Sequence, residues 1–214
     1  MTPRPAAVAA LAVLAWLGLG RLGLAGVAQD NSAQDAVRRV EIGQRAPAFA
    51  LRGADGRMHR LGDYAGKVVV LEWTSPVCPY TQMKYTSGAM QALQKQARAD
   101  GDVWLSVDTA APDRPGYLDP AAARARVRIL HATVSAFLSD PKGTVGRRYG
   151  AKVTPTVFII GPDGGLAYQG ALDDGPETDD AKGRNYVRDA LEDLAAHRPV
   201  RIPETRTYGC AVEY

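Results

Sequence analysis

Apolar and polar positions along the chain change period from segment to segment, and the changes predict strands and helices in turn. Lys67 to Trp73 is a β-branched run, apolar from Val68 to Trp73 except at Glu72, the pattern of a central strand covered on both faces. Pro79 to Ala99 carries Met83, Met90, Leu93 and Ala97 at helical spacing and stops at Asp100-Gly101. Val103 to Val107 is the next strand, and Asp108 to Gly116 is a loop interrupted by Pro and Gly. Asp119-Pro120 caps a helix running to about Ile129. Ala136-Phe137-Leu138 is a short strand ending at Asp140-Pro141, followed by a helix over Thr144 to Tyr149 that stops at Gly150. Two hairpins are legible: Pro47–Arg52 with Arg57–Arg60, and Thr156–Ile160 with Leu166–Gln169. Ala171 to Gly183 is acidic and turn-rich, an exposed loop, and Asn185 to His197 is a final helix with Val187, Leu191 and Leu194 on one face. Strands alternating with helices and closing on a hairpin and a helix predict an α/β three-layer domain.

The chain has 214 residues, enough for one domain plus a leader. Arg4, the apolar run from Ala6 to Gly20 and the small-x-small site Gly26-Val27-Ala28 read as a secretory signal peptide over residues 1–28. The alternative is an uncleaved anchor, but the apolar run falls short of the roughly 20 residues a span needs, and Arg21 interrupts it. Residues 29–39 form a polar, flexible lead-in. Removing the leader takes away two arginines and no acids, so the net charge falls from +3 to +1. That balance argues against a nucleic-acid partner or an anionic membrane surface. His59, His131 and His197 show no metal-ligand spacing with one another or with the cysteines, so no metal or cofactor is expected.

Chemistry is expected at Cys78. In Leu71-Glu72-Trp73-Thr74-Ser75-Pro76-Val77-Cys78-Pro79-Tyr80-Thr81 a strand ends in a short turn and a cysteine follows at a helix start, with Pro79 at the first helical position. The partial positive charge there favours thiolate, the reactive species. The bland alternative is a small buried hydrophobe or half of a structural disulfide. The only other cysteine is Cys210, and two cysteines in an oxidising compartment favour pairing. The tail between Arg198 and Gly209 has no helix and could span roughly 40 Å when extended, enough to reach Cys78 across a small domain. Glu72 sits in the middle of the apolar strand, where a carboxylate is costly to bury unless paired or protonated. It is a functional candidate with a raised pKa, or it pairs with a Lys or Arg at a strand end.

Leu71 to Thr81 resembles the active-site segment of thioredoxin-fold proteins, in which a strand leads into Cys-x-x-Cys. Cys78 falls on the first cysteine and Thr81 on the second. Arg148 to Gly164, with Val153-Thr154-Pro155-Thr156 at its centre, resembles that family's cis-proline loop, next strand and hairpin. The likeness runs from about Val40 to about Arg198 and is closest to the redoxin branch, the AhpC/TSA-like proteins including TlpA-type ones. The tail from Tyr208 to Tyr214 is similar to that of a peroxiredoxin-like subgroup with a single active-site cysteine. The resemblance implies a thioredoxin-like α/β/α sandwich with a central mixed sheet over residues 40–198, followed by an extended tail over 199–214. It implies Cys78 as nucleophile, Glu72 as proton relay, and a groove of Pro79, Tyr80, Thr154 and Pro155 in which an extended substrate pairs with the backbone before the cis proline.

Thr81 in place of the second motif cysteine leaves three outcomes for a mixed disulfide at Cys78: attack by Cys210, attack by an outside thiol, or no turnover. The Thr81 hydroxyl is expected to donate a hydrogen bond to the Cys78 thiolate. The reading is therefore a periplasmic or secreted thiol–disulfide oxidoreductase acting on a protein or small thiol, with a dithiol protein as reductant. A thiol peroxidase using Cys78 is one alternative, although Leu71 stands where that pattern has proline. A non-catalytic binding module stapled by Cys78–Cys210 is the other.

Overall fold

The computed structural model describes residues 39–175 and 183–214. The leader, all but the last residue of the lead-in and the middle of the acidic loop lie outside the described residues. The strands are β1 (Ala50–Gly53), β2 (Met58–Arg60), β3 (Val69–Trp73), β4 (Val103–Asp108), β5 (Ala136–Ser139), β6 (Val153–Thr154), β7 (Thr156–Ile160), β8 (Leu166–Gly170) and β9 (Cys210–Ala211). The helices are α1 (Pro79–Thr86), α2 (Ala89–Ala99), α3 (Pro120–Ile129), α4 (Thr144–Tyr149) and α5 (Tyr186–Ala195).

Seven strands form one mixed sheet in the order β2-β1-β5-β4-β3-β7-β8. β3, β4 and β5 run parallel, and β7 runs antiparallel to β3. All five residues of β3 are buried, because neighbours pair with it on both sides and helices cover both faces. Alternation sends Val69, Leu71 and Trp73 into one core, with Leu105, Phe158 and Tyr149 of α4. Val70 points into the other core, with Trp104, Ile159, Met90 and Leu93 of α2, and Val187 of α5. The three-layer α/β/α sandwich with a mixed sheet follows from that division.

The single helix expected over Pro79–Ala99 is two. Gly88 takes φ of 83°, a left-handed conformation that closes α1 and opens α2. The break lets α2 lie against the sheet with its apolar stripe while α1 keeps the start that carries Cys78. Asp119 caps α3 as expected, its carboxylate accepting from Ala122 N at 2.8 Å. The acidic loop is not exposed where it begins: Ala171, Leu172 and Asp173 are buried. Asp173 tolerates burial because Lys84 of α1, equally buried, places its ammonium 2.6 Å away. Among the described residues, no helix is long and apolar enough to cross a membrane.

Candidate active site

β3 ends at Trp73, and the turn Thr74–Val77 delivers Cys78 to the N-cap of α1 with extended backbone and Pro79 behind it. Gln82 Nε2 donates to Pro76 O at 2.8 Å, tying the turn to the first helical turn. Cys78 is 1% exposed. Facing it is the β6–β7 junction, where the Thr154–Pro155 peptide is cis and the Thr154 carbonyl oxygen lies 3.1 Å from Cys78 Sγ. The third wall is the tail. β9 pairs antiparallel with β6, placing Cys210 opposite Thr154. Cys78 and Cys210 are joined as a disulfide with Cα atoms 5.8 Å apart, across 132 positions of sequence. The tail strand thus occupies the backbone edge beside the cis proline, which the resemblance assigned to a substrate.

Non-covalent contacts on both sides hold Cys210 there. Upstream, the Tyr208 ring packs edge-on against Tyr80 with centroids 5.9 Å apart, and its hydroxyl donates to Asp173, the partner of Lys84. Downstream, Val212 N donates to Lys152 O at 2.9 Å. Tyr214 donates to the Ala151 carbonyl and lies under the Arg147 guanidinium, 4.4 Å from the ring centroid. Gly209, at φ of 132°, passes so close to the Thr154–Pro155 peptide that a Cβ built on it overlaps the Thr154 carbonyl. Only glycine fits before the bonding cysteine. Gly209→Ala is expected to displace the tail and to lower the oxidised fraction at a fixed redox buffer by at least tenfold in the equilibrium constant, read by thiol alkylation and mass spectrometry. An unchanged ratio would mean that the approach is not rigid.

Glu72 is fully buried, and the charged partner of the alternative reading is not beside it. Among the described residues it pairs with no Lys or Arg and makes no hydrogen bond to Cys78. Tyr85 Oη (3.1 Å), Trp104 Nε1 (2.9 Å), Ser106 Oγ (2.8 Å) and Gln94 Nε2 (3.4 Å) all donate to its carboxylate. Burial raises its pKa, and these four donors pull it back only in part. The reason is alternation: Glu72 shares a sheet face with Trp104 and Ser106 of the adjacent strand, facing α2. Thr81 is also buried, and in the disulfide form its hydroxyl has no hydrogen-bond partner among the described residues. The Cys78 sulfur is instead turned to the Thr154 carbonyl and Cys210.

Asp108, at the C-terminal end of β4, lies on a cavity of about 110 Å³ lined by both cysteines, Thr74, Thr109, Thr154 and Glu213 of the tail. Ala110 N donates to its carboxylate at 3.1 Å. Burial raises its pKa to about 6, against the lowering pull of backbone N–H groups and of Arg126. A carboxyl that binds its proton more tightly when folded stabilises the fold below the unfolded pKa of about 4, and that contribution is lost as pH rises through about 6. Asp102, also raised to about 6 by burial and by Asp100, adds to the same slope. Asp108→Asn is expected to remove about 2–3 kcal/mol of the stability change across this window, measured by urea unfolding at pH 4 and pH 7.

A sequence profile of the AhpC/TSA family matches residues 42–169, more than half of the chain. The chain belongs to the AhpC/TSA family. The matched span contains Glu72, Cys78, Thr81, Asp108 and Thr154-Pro155 but not Cys210, so the tail half of the disulfide lies outside the matched residues. The thiol-disulfide oxidoreductase ResA of Geobacillus thermodenitrificans is 30% identical over 132 residues, 58% of this chain. The chain spans 66% of the length of the curated relatives it matches, a little under two thirds. An uncharacterised conserved protein from Geobacillus kaustophilus superposes with a TM-score of 0.72 over 83% of this chain and 94% of its own, at 23% identity. A Chlorobium tepidum protein assigned as the thiol:disulfide interchange protein DsbE superposes at 0.50 with 28% identity, over 61% of this chain and 84% of its own. The fold is thioredoxin-like.

Three parts of the site in this AhpC/TSA-family chain were not found from sequence. Asp108 ends a buried parallel strand, the end at which α/β sheets build their sites, and that signal was available. Gly209, directly before a cysteine in a tail without other glycines, was a weaker one. The Lys84–Asp173–Tyr208 set joins three distant segments and left no local trace.

Proposed function

We propose that the chain is an exported thiol–disulfide oxidoreductase of the redoxin type, working through reversible formation of the Cys78–Cys210 bond. The observation that supports this best is the meeting of two cysteines, 132 positions apart, at one helix N-terminus beside the Thr154–Pro155 loop. The helix terminus stabilises a Cys78 thiolate. Cys210 is the second redox group, and Tyr80, Thr154 and Pro155 hold the segment that carries it. The names of the ResA and DsbE relatives agree with this chemistry. Residues 1–28 are the proposed export leader. The partners are a protein or small molecule bearing a thiol or disulfide, and a dithiol protein as reductant.

A permanent staple is the second reading, favoured by the burial of Cys78 and the anchored tail. The reduction potential separates the two. Equilibration in glutathione and dithiothreitol buffers, with the oxidised fraction read by alkylation, is expected to give a midpoint above about −300 mV. A midpoint below that value makes the bond structural. Hydrogen peroxide turnover that disappears in Cys78→Ser would put the peroxidase reading first.

A further inference from the structure

Disulfide exchange is an in-line displacement. The incoming thiolate approaches one sulfur along the extension of the S–S bond, and the other sulfur leaves on the opposite side. Which sulfur is attacked therefore depends on which has its outer side open. Cys78 is 1% exposed, so an outside thiol has no open path from solvent to its sulfur. The turn Thr74–Val77, the Thr154 carbonyl and α1 are its surroundings. Cys210 is half-buried, on a two-residue strand at the edge of the domain, and its neighbour Ala211 is exposed. We propose that exchange with outside thiols and disulfides enters at Cys210, with Cys78 as the buried leaving group, the reverse of the roles the motif resemblance implies. The assignment rests on the oxidoreductase reading above.

The chemistry balances with an outside thiol as the only co-reactant. An outside thiolate attacks Cys210 Sγ, forming a mixed disulfide there, and the Cys78–Cys210 bond breaks with the electron pair going to Cys78 Sγ. That thiolate forms at the N-terminus of α1, where free N–H groups and the helix dipole stabilise it. A second outside thiolate then attacks the outside sulfur of the mixed disulfide. It releases Cys210 as a thiolate, which takes a proton. Two outside thiols become one disulfide, and the protein gains two electrons as a dithiol.

The anchors around Cys210 give the same order in the oxidising direction. Tyr208 on Tyr80 and Asp173, the β6–β9 pairing, Val212 on Lys152 and Tyr214 on Ala151 do not depend on the S–S bond. They keep the tail over Cys78 in the dithiol, so an outside disulfide meets Cys210 first and Cys78 closes the ring from beneath. Cys210 is thereby the cysteine that reads the partner.

The test uses the full, oxidised chain. It is mixed with glutathione, quenched in acid within seconds, alkylated and mapped by mass spectrometry. The glutathione adduct is expected on Cys210 over Cys78 by at least tenfold. In a second measurement, Cys78→Ser and Cys210→Ser are each reacted with the aromatic disulfide DTNB. The remaining Cys210 is expected to react at least tenfold faster than the remaining Cys78. An adduct on Cys78, or a faster Cys78 in the second assay, overturns the assignment while leaving the oxidoreductase reading in place. A disulfide that neither glutathione nor dithiothreitol opens in the folded protein overturns both.

Discussion

Reduction of the Cys78–Cys210 bond is expected to lower the unfolding free energy by about 4–5 kcal/mol, through the entropy of closing a loop of this length in the denatured chain. The bond encloses most of the described domain, since its ends are 132 positions apart. The native state changes little on reduction because the tail has its own anchors on both sides of Cys210. The effect therefore falls on the unfolded ensemble, and the urea m-value should rise on reduction as that ensemble expands. In a thermal scan the loss corresponds to roughly 10–15 °C. Linkage gives a second measurement of the same quantity: folding should lower the reduction potential by about 90–110 mV relative to the denatured chain. Paired urea titrations with and without dithiothreitol decide the matter. A difference below about 1 kcal/mol would mean that the denatured chain already keeps its two ends together.

Replacing Asp173 by Ala is expected to cost about 3–5 kcal/mol, the usual result of removing one partner from a buried ion pair. Lys84 and Asp173 are 1% and 4% exposed, so the ammonium cannot turn to water without moving α1. The same pair on the surface would contribute less than about 1 kcal/mol, so the measured value reports directly on burial. Asp173 also accepts from Tyr208, and its loss should loosen the tail two residues before Cys210. The variant should therefore show faster alkylation of Cys210 in the dithiol as well as lower stability. Lys84→Met with Asp173→Leu is expected to recover most of the stability, because an apolar pair of similar volume avoids the cost of desolvating two charges. A single variant that loses under 1 kcal/mol would place the pair in contact with water.

Elements set by neighbours in sequence were legible in sequence. The apolar run of β3, the Asp119-Pro120 start of α3 and the Gly150 stop of α4 all rest on backbone preference and local burial pattern. The gap between α1 and α2 was missed because Gly88 sits inside a segment whose helical period continues on both sides of it. The site divides in the same way. Cys78 and the Thr154–Pro155 loop could be named because each is written in a few adjacent residues.

The environment of Glu72 could not be read locally. A charged partner was the alternative reading, but four neutral donors from α1, α2 and β4 surround it. Desolvation is a property of everything packed around a group, and strand pairing had to bring Trp104 and Ser106 alongside before that cost was set. Sequence alone determined that this chain carries two cysteines, one at a helix start and one on an extended tail long enough to reach it. Only the tertiary structure decided that the tail lies in the groove as a strand, that Gly209 is the residue allowing it to pass, and that Cys78 is the covered sulfur. Exposure and approach are set by contacts between segments more than a hundred positions apart, and no window of sequence contains them.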